Sequence, residues 1–106
     1  MTGPLFFPEA LAEYEDAVVY YETQATNLGA RLILEFDQTL ALAMEFPALG
    51  MRVDGTPDKY DLRQRLLPTF GIKLIYTIQG DTFIVVAVFH GSRRPGYWFR
   101  RLENLH

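Results

Sequence analysis

The sequence predicts an α+β fold: an N-terminal two-helix hairpin packed on one face of a curved, mainly antiparallel sheet of three or four strands, then a short C-terminal helix. In the first half of the 106-residue chain, apolar residues recur at helical spacing. In the second half the period changes to two, and β-branched and aromatic residues dominate. A loop over residues 48–59, containing glycine and proline, separates the two patterns. A chain of this length forms one domain, residues 1–106.

The first helix is predicted to begin at Pro8, because the first helical turn does not need the amide proton that proline lacks. Its core-facing positions follow spacings of three and four: Leu11, Tyr14, Val18, Tyr21 and Ala25. The acids between them are interpreted as solvated charge. Thr26 or Asn27 is expected to cap the second helix. Its core-facing positions are Leu32, Phe36, Leu40 and Ala43, widened by Ile33 and Met44. Pro47 ends that helix near Phe46.

Three longer strands are predicted after the loop, which itself carries a short strand near residues 51–53. Residues 61–67 form one strand, and Pro68 ends it. Residues 71–78 and 82–90 form a hairpin around the two-residue turn Gly80-Asp81. Ser92 is expected to cap the short C-terminal helix, which begins near Pro95.

The hairpin turn predicts a register in which Gln79 faces Thr82, Thr77 faces Ile84, Ile75 faces Val86, Lys73 faces Val88 and Gly71 faces His90. One face is then wholly apolar and is expected to pack on the helices: Ile72, Leu74, Tyr76, Ile78, Phe83, Val85, Ala87 and Phe89. The other is apolar only in its middle: Lys73, Ile75, Thr77, Ile84, Val86, Val88 and His90. We expect this second face to be partly open, for a partner or for dimerisation. The alternative is that a terminal segment covers it.

The charge of the chain is divided between its halves. Residues 1–50 hold eight acidic residues and one basic residue, a net charge of −7, whereas residues 51–106 hold nine basic and five acidic residues, a net charge of +4. This asymmetry favours an acidic partner, protein or nucleic acid, for the second half. The alternative is that two helices simply carry acidic solvent faces.

Several kinds of chemistry are excluded by composition. The chain has no cysteine and only two histidines, so disulfides, zinc–cysteine sites and thiol nucleophiles are ruled out. There is no glycine-rich phosphate loop, dinucleotide fingerprint or His-Glu-x-x-His motif, and we expect neither a cofactor nor a metal. No apolar run approaches the roughly 20 residues of a membrane span, and the first residues lack the pattern of a signal peptide. A cytoplasmic protein without membrane partners is expected.

One cluster of cationic and aromatic residues remains as a candidate site: Arg63, Arg65, Lys73, His90, Arg93, Arg94, Tyr97, Trp98, Arg100 and Arg101. Arginine matches phosphate and carboxylate geometry, and aromatic rings stack on RNA bases. Such a set suits metal-free RNA cleavage, with a histidine or tyrosine moving protons, or the binding of an acidic protein segment. A structural role is equally open for His90, and Trp98 is expected to pack on the core.

An ordered series of motifs resembles the RelE/ParE superfamily of bacterial type II toxin–antitoxin toxins. In the helices these are Ala17-x-x-Tyr20-Tyr21 and Phe46-Pro47-x-x-Gly50. In the strands they are Leu62-Arg63-Gln64-Arg65, Leu67-Pro68-Thr69-Phe70-Gly71-Ile72-x-x-Ile75-Tyr76 and the run from Ile84 to Phe89. The closing block His90-Gly91-Ser92-Arg93-Arg94-Pro95-x-x-Trp98 is closest to the ParE-like branch. Members commonly begin with a clear strand, for which only Leu5-Phe6-Phe7 remains before Pro8.

The resemblance implies a toxin that a cognate antitoxin wraps and neutralises through an acidic or partly disordered C-terminal segment. ParE-type members interfere with DNA gyrase, and RelE-type members cleave messenger RNA in the ribosome. By position, the residues matching a nuclease site are Arg65, Lys73, His90, Arg93 and Tyr97. With only two lysines and a net acidic chain, we expect a non-enzymatic gyrase inhibitor. The alternatives are a metal-independent, ribosome-dependent endoribonuclease and an inactive relative that binds only its antitoxin.

Two binding surfaces are predicted within this toxin–antitoxin hetero-oligomer. The antitoxin is expected on Arg63, Arg65, Lys73, Ile75, Ile84, Val86, Arg93 and Arg94. The cellular target is expected on Arg93, Arg94, Tyr97, Trp98, Arg100 and Arg101.

Overall fold

The fold consists of two long helices and a five-stranded sheet that has a short strand at each edge. The computed structural model describes residues 3–105. Its helices are α1 (Pro8–Gln24) and α2 (Leu28–Glu45), and its strands are β1 (Leu5–Phe6), β2 (Met51–Arg52), β3 (Arg63–Leu67), β4 (Ile72–Gln79) and β5 (Thr82–His90). Short 3₁₀ helices lie at Pro47–Leu49, Asp58–Tyr60 and Phe99–Asn104. Within these described residues, no helix is long and apolar enough to cross a membrane.

The α+β class and the helix hairpin packed on the sheet are confirmed, but the sheet has five strands, where three or four were expected. Their order is β1-β5-β4-β3-β2, and every pair is antiparallel except β1 with β5. The two short strands, β1 and β2, are two residues long and lie at the two edges; β2 is the short strand predicted near residues 51–53. The apolar residues before Pro8 do form a strand, since Leu5 pairs with Ile84 and the Phe7 amide donates to the Val85 carbonyl at 3.0 Å.

The register of the central hairpin is the predicted one only next to its turn. Gln79 pairs with Thr82 and Thr77 with Ile84, as expected. A β-bulge follows: Val85 pairs with Tyr76, but the next β4 residue, Ile75, pairs with Ala87. Val86 is the extra residue of the bulge. The pairs predicted beyond it are wrong: Ile75 faces Ala87, Lys73 faces Phe89, and Ile72, not Gly71, faces His90.

The bulge changes which side chains of β5 share a face. We call the side bearing Ile72, Leu74, Tyr76, Ile78, Phe83 and Val85 the helix face, and the side bearing Lys73, Ile75 and Thr77 the opposite face. Because side chains alternate along a strand, Val88 and His90 join the helix face, whereas Ala87 and Phe89 lie on the opposite face. The prediction had these two pairs exchanged.

The opposite face is not open, which corrects the expectation of an exposed sheet surface. Ile75, Ile84 and Val86 are all buried, with at most 6% of their surface exposed. A C-terminal segment, residues 97–105, buries Trp98, Leu102 and Leu105 in the same core. The loop before β3 contributes as well, since the Thr77 hydroxyl donates to the Tyr60 carbonyl. The alternative expectation, cover by a terminal segment, therefore holds. That segment is a 3₁₀ helix at Phe99–Asn104, not a helix beginning near Pro95.

The helix hairpin is closed by a carboxylate from α1. Asn27 stands at the N-cap position of α2, as predicted, but its side chain makes no capping hydrogen bond. Glu22 takes that role instead, because its carboxylate accepts hydrogen bonds from the amides of Asn27 at 3.1 Å and Gly29 at 3.0 Å. The core side of α2 is as predicted, except that Ile33 is 40% exposed. On α1, Ala10 is buried, whereas Leu11 is 43% exposed and Ala25 is the exposed C-cap.

Gly29 is the point of closest approach between the two helices. A Cβ atom there would lie 2.8 Å from the Val18 carbonyl oxygen and 3.1 Å from Glu22. Because the first neighbour is backbone, the helices would have to separate to admit it.

We expect Gly29→Ala to lower the free energy of unfolding by about 1–3 kcal/mol, the usual cost of overpacking. Without the close approach, replacing a helical glycine by alanine would raise the free energy of unfolding by roughly 0.5–1 kcal/mol. The sign of the change in that free energy is therefore the test. Urea unfolding measures it. Gly3→Ala is the control, because nothing lies within 4 Å of its added Cβ. Equal stability of the two variants would contradict the close packing.

Candidate partner-binding site

The predicted cationic cluster is divided among three places in the fold. Arg63 and Arg65 lie on β3 opposite Tyr76 and Leu74, on the helix face. Arg63 donates to the carbonyls of Ala48 at 2.9 Å and Gly50 at 3.0 Å. It also pairs with Asp61 at 3.2 Å.

Arg65 donates to the Phe46 carbonyl at 3.4 Å, and its Nε atom is buried without a hydrogen-bond partner among the residues described. Both β3 arginines therefore hold the chain that leaves α2.

Lys73 lies on the opposite face, on the other side of the sheet from Arg65. It lines a cleft between this face and the chain after β5, together with Gln64, Ile75, Phe89 and Arg93. Trp98 forms part of the same cleft but is only 2% exposed, so it packs as expected and is not accessible as a target-binding surface.

Glu13 of α1 joins the helix, the edge of β5 and the C-terminal segment. Its carboxylate pairs with Arg101 at 2.7 Å, and both side chains are largely buried, with exposures of 13% for Arg101 and 16% for Glu13. The Tyr97 hydroxyl donates to the same carboxylate. Glu13 also accepts the Val88 amide proton at 3.1 Å, and Arg101 donates to the Val86 carbonyl at 3.0 Å. The Glu13 carboxylate and the Arg101 guanidinium thus bind three further groups: the Tyr97 hydroxyl, the Val88 amide and the Val86 carbonyl. We call these five groups the Glu13 network.

Burial and Glu13 together determine the protonation of this network. Partial burial, and then the hydrogen bond to Glu13, raise the pKa of Tyr97 far above the ordinary value of a phenol. Burial alone would lower the pKa of Arg101, but the hydrogen bond to Glu13 and the negative charges nearby, that of Glu13 first among them, together outweigh it and raise that pKa. Tyr97 is therefore a neutral hydrogen-bond donor, and Arg101 is a fixed cation.

The chain after β5 carries three further arginines: Arg93, Arg94 and Arg100. The Arg93 guanidinium lies 3.8 Å from the centre of the Tyr97 ring, a cation–π contact. Arg94 and Arg100 are exposed, and within residues 3–105 neither has a carboxylate partner. We call residues 91–100 the cationic loop; it overlaps the first four residues of the C-terminal segment and ends in the first turn of the 3₁₀ helix.

His90 is held by its neighbour at the start of this loop. Its Nδ1 atom accepts the Ser92 amide proton at 3.1 Å and lies 2.8 Å from the Ser92 hydroxyl. Because Nδ1 accepts the amide proton, this hydrogen-bond pattern places the ring proton of neutral His90 on Nε2. These contacts hold the imidazole ring in one orientation.

A groove lies on the other side of β5, between its C-terminal end and α1. We call it the α1–β5 groove; its volume is about 850 Å³. Its lining combines an acidic wall from α1, an apolar floor and a basic wall from the chain after β5: Glu13, Asp16, Ala17, Tyr20, Tyr21, Gln24, Leu28, Ile72, Val88, Phe89, His90, Ser92 and Arg93.

The structure does not bring the predicted nuclease residues together in one site. Arg65 and Lys73 lie on opposite faces of the sheet. His90 and Arg93 do share the α1–β5 groove. The Tyr97 hydroxyl donates to Glu13 and is not among the groups that line the α1–β5 groove. Among the described residues there is also no group of three acidic or histidine side chains that could hold a metal ion.

Glu13 is the residue of the site that sequence reasoning missed. The sequence pattern places it with the solvated acids of α1, yet it lies between Ala10 and Ala17 at spacings of three and four. A glutamate placed among the core-facing positions of a helix indicates a partner elsewhere in the fold. The partner's identity was not readable, because Arg101 is 88 residues away.

The structure is a two-helix hairpin packed on one face of a five-stranded mixed sheet, the kind of α+β fold that the sequence resemblance implied. A family model described as the ParE toxin of the type II toxin–antitoxin system parDE matches residues 5–95, and the chain belongs to this family. None of the curated proteins compared with the chain matches it. The family implies a cognate antitoxin as partner. The matched region contains both helices and all five strands and stops before the C-terminal segment.

We expect Glu13→Ala to lower the free energy of unfolding by about 2–4 kcal/mol, because it leaves Arg101 without its counter-charge and the Val88 amide without an acceptor. Urea unfolding followed by the fluorescence of Trp98, the single tryptophan, measures the change. Glu15→Ala, on the exposed side of the same helix, is the control and should change stability by less than about 0.5 kcal/mol. Similar losses in both variants would contradict the network.

Proposed function

We propose that this ParE-family toxin acts by binding and inhibiting DNA gyrase and is neutralised by its antitoxin. The observation that carries the proposal is the cationic loop, in which Arg94 and Arg100 are exposed without counter-charges in the described chain. Exposed guanidinium groups recognise carboxylates and phosphates through paired N–H donors. The sequence resemblance to ParE-type toxins supplies gyrase as the target.

The arrangement of the remaining cations supports an inhibitor over a nuclease. Arg63 and Arg65 are occupied by carbonyls near the end of α2, and Arg101 is occupied by Glu13. RNA cleavage without a metal needs a proton-moving group and several cations around one phosphate. The proton-moving candidate Tyr97 is bound and has a raised pKa, and Lys73 lies across the sheet from Arg65.

The antitoxin surface proposed here differs from the one expected from the sequence alone. Ile75, Ile84 and Val86 are buried, so a partner cannot reach them while the C-terminal segment is in place. Arg93 and Arg94 remain accessible on the cationic loop. We therefore place the acidic part of the antitoxin on this loop, where it would also block access of the target.

Gyrase supercoiling of relaxed plasmid tests the target. We expect the purified toxin to inhibit it, and we expect Arg94→Glu and Arg100→Glu, each alone, to need at least about tenfold more protein for half inhibition, because each reverses an unpaired charge at the contact. Arg31→Glu is the matched control: an exposed guanidinium of α2, outside the loop, whose reversal should leave inhibition unchanged.

Two outcomes would contradict the proposal. One is gyrase that stays fully active at a large excess of toxin. The other is cleavage of transcripts on translating ribosomes, abolished by Arg93→Ala; that result would establish the endoribonuclease instead.

A further inference from the structure

The α1–β5 groove has an apolar floor and a free acidic side chain that the proposed function does not use. Its floor is apolar and consists of Ala17, Tyr21, Leu28, Ile72 and Val88. Asp16 lies exposed on the α1 wall, and no hydrogen bond or ion pair within residues 3–105 occupies it. Arg93 and His90 lie on the facing wall. The groove therefore has a free carboxylate, Asp16, on its α1 wall and a guanidinium, Arg93, on the facing wall.

The rim of the groove carries a large exposed aromatic side chain. Tyr20 is 57% exposed and contacts Tyr21 edge-on, with ring centres 5.1 Å apart. Exposed tyrosines beside an apolar floor are typical anchors of protein interfaces. The α1 residues of the groove run from Glu13 to Gln24, so its length is about 16 Å at the helical rise per residue. About five residues of extended chain span that length.

We propose that the α1–β5 groove binds a short segment of the antitoxin in which a large apolar residue is flanked by a basic and an acidic residue. The apolar side chain fills the floor, the basic residue pairs with Asp16, and the acidic residue pairs with Arg93. This inference rests on the proposed function for the existence of the antitoxin. It goes further in giving the partner a second contact, on the face of β5 that packs against α1.

Two other occupants fit the groove less well. A second copy of this chain would present the same concave surface in a two-fold contact, and two grooves cannot fill each other. A nucleic acid would bring phosphates against Asp16, and like charges repel. A peptide segment that carries both signs of charge satisfies both walls.

Matched substitutions on α1 test this groove directly. Asp16→Lys reverses the charge of the acidic wall, whereas Glu15→Lys makes the same change next to it, outside the groove. Tyr20→Ala removes the rim aromatic, whereas Val19→Ala shortens a neighbour that is 64% exposed and does not line the groove. All four positions are solvent-exposed, so folding, checked by circular dichroism, should be preserved.

The measurement is calorimetric titration of each variant with the purified protein encoded beside this chain. We expect Asp16→Lys and Tyr20→Ala each to weaken the complex at least about tenfold, and both controls to stay within about twofold. All four variants should still inhibit gyrase.

Unchanged affinity in both groove variants, with a normal wild-type complex, would overturn the groove proposal and leave the proposed function standing. A wild-type chain that forms no complex would overturn both. Loss of gyrase inhibition with intact antitoxin binding would assign the groove to the target, and so overturn the proposal as well.

Discussion

The rest of the structure depends on the contact between Glu13 and Arg101. Strand β1 covers the edge of β5 only as far as Val85, whose carbonyl accepts the Phe7 amide. Beyond that point, Val86 and Val88 would present unpaired backbone groups, which are costly when buried. Arg101 and Glu13 take up these two groups, and their own charges neutralise each other in a partly buried place. One ion pair thus ends the sheet, anchors α1 to it and holds the C-terminal segment.

This arrangement determines which surfaces remain for partners. The opposite face of the sheet is apolar on both central strands, and Trp98 and Leu102 pack in the same core. This face is therefore closed to a partner. Arg94 and Arg100, which have no carboxylate partner within residues 3–105, lie on the cationic loop, and the α1–β5 groove opens beside it. Arg93 contributes to both, because it lines the groove and stacks on Tyr97. A partner that neutralises the loop is therefore well placed to occupy the groove as well.

The sequence predicted the elements well and their long-range relations poorly. Helical spacing and Pro8, Pro47 and the Gly80-Asp81 turn specify local geometry, and the structure confirms them. The bulge at Val86 escaped prediction because both faces of β4 and β5 are apolar there, so no alternation of polarity specifies the register. Burial of the opposite face and the pairing of Glu13 with Arg101 depend on a contact across 88 residues, about which local patterns carry no information.

The most direct test of the role of the Glu13 network is a double-mutant cycle on its ion pair. Stability to urea would be measured for the wild type, Glu13→Ala, Arg101→Ala and the double variant. If the two side chains act as one unit, the losses will not add, and the coupling free energy will be about 2 kcal/mol. Losses that add to within about 0.5 kcal/mol would show that Glu13 and Arg101 stabilise the fold independently, and would contradict the account.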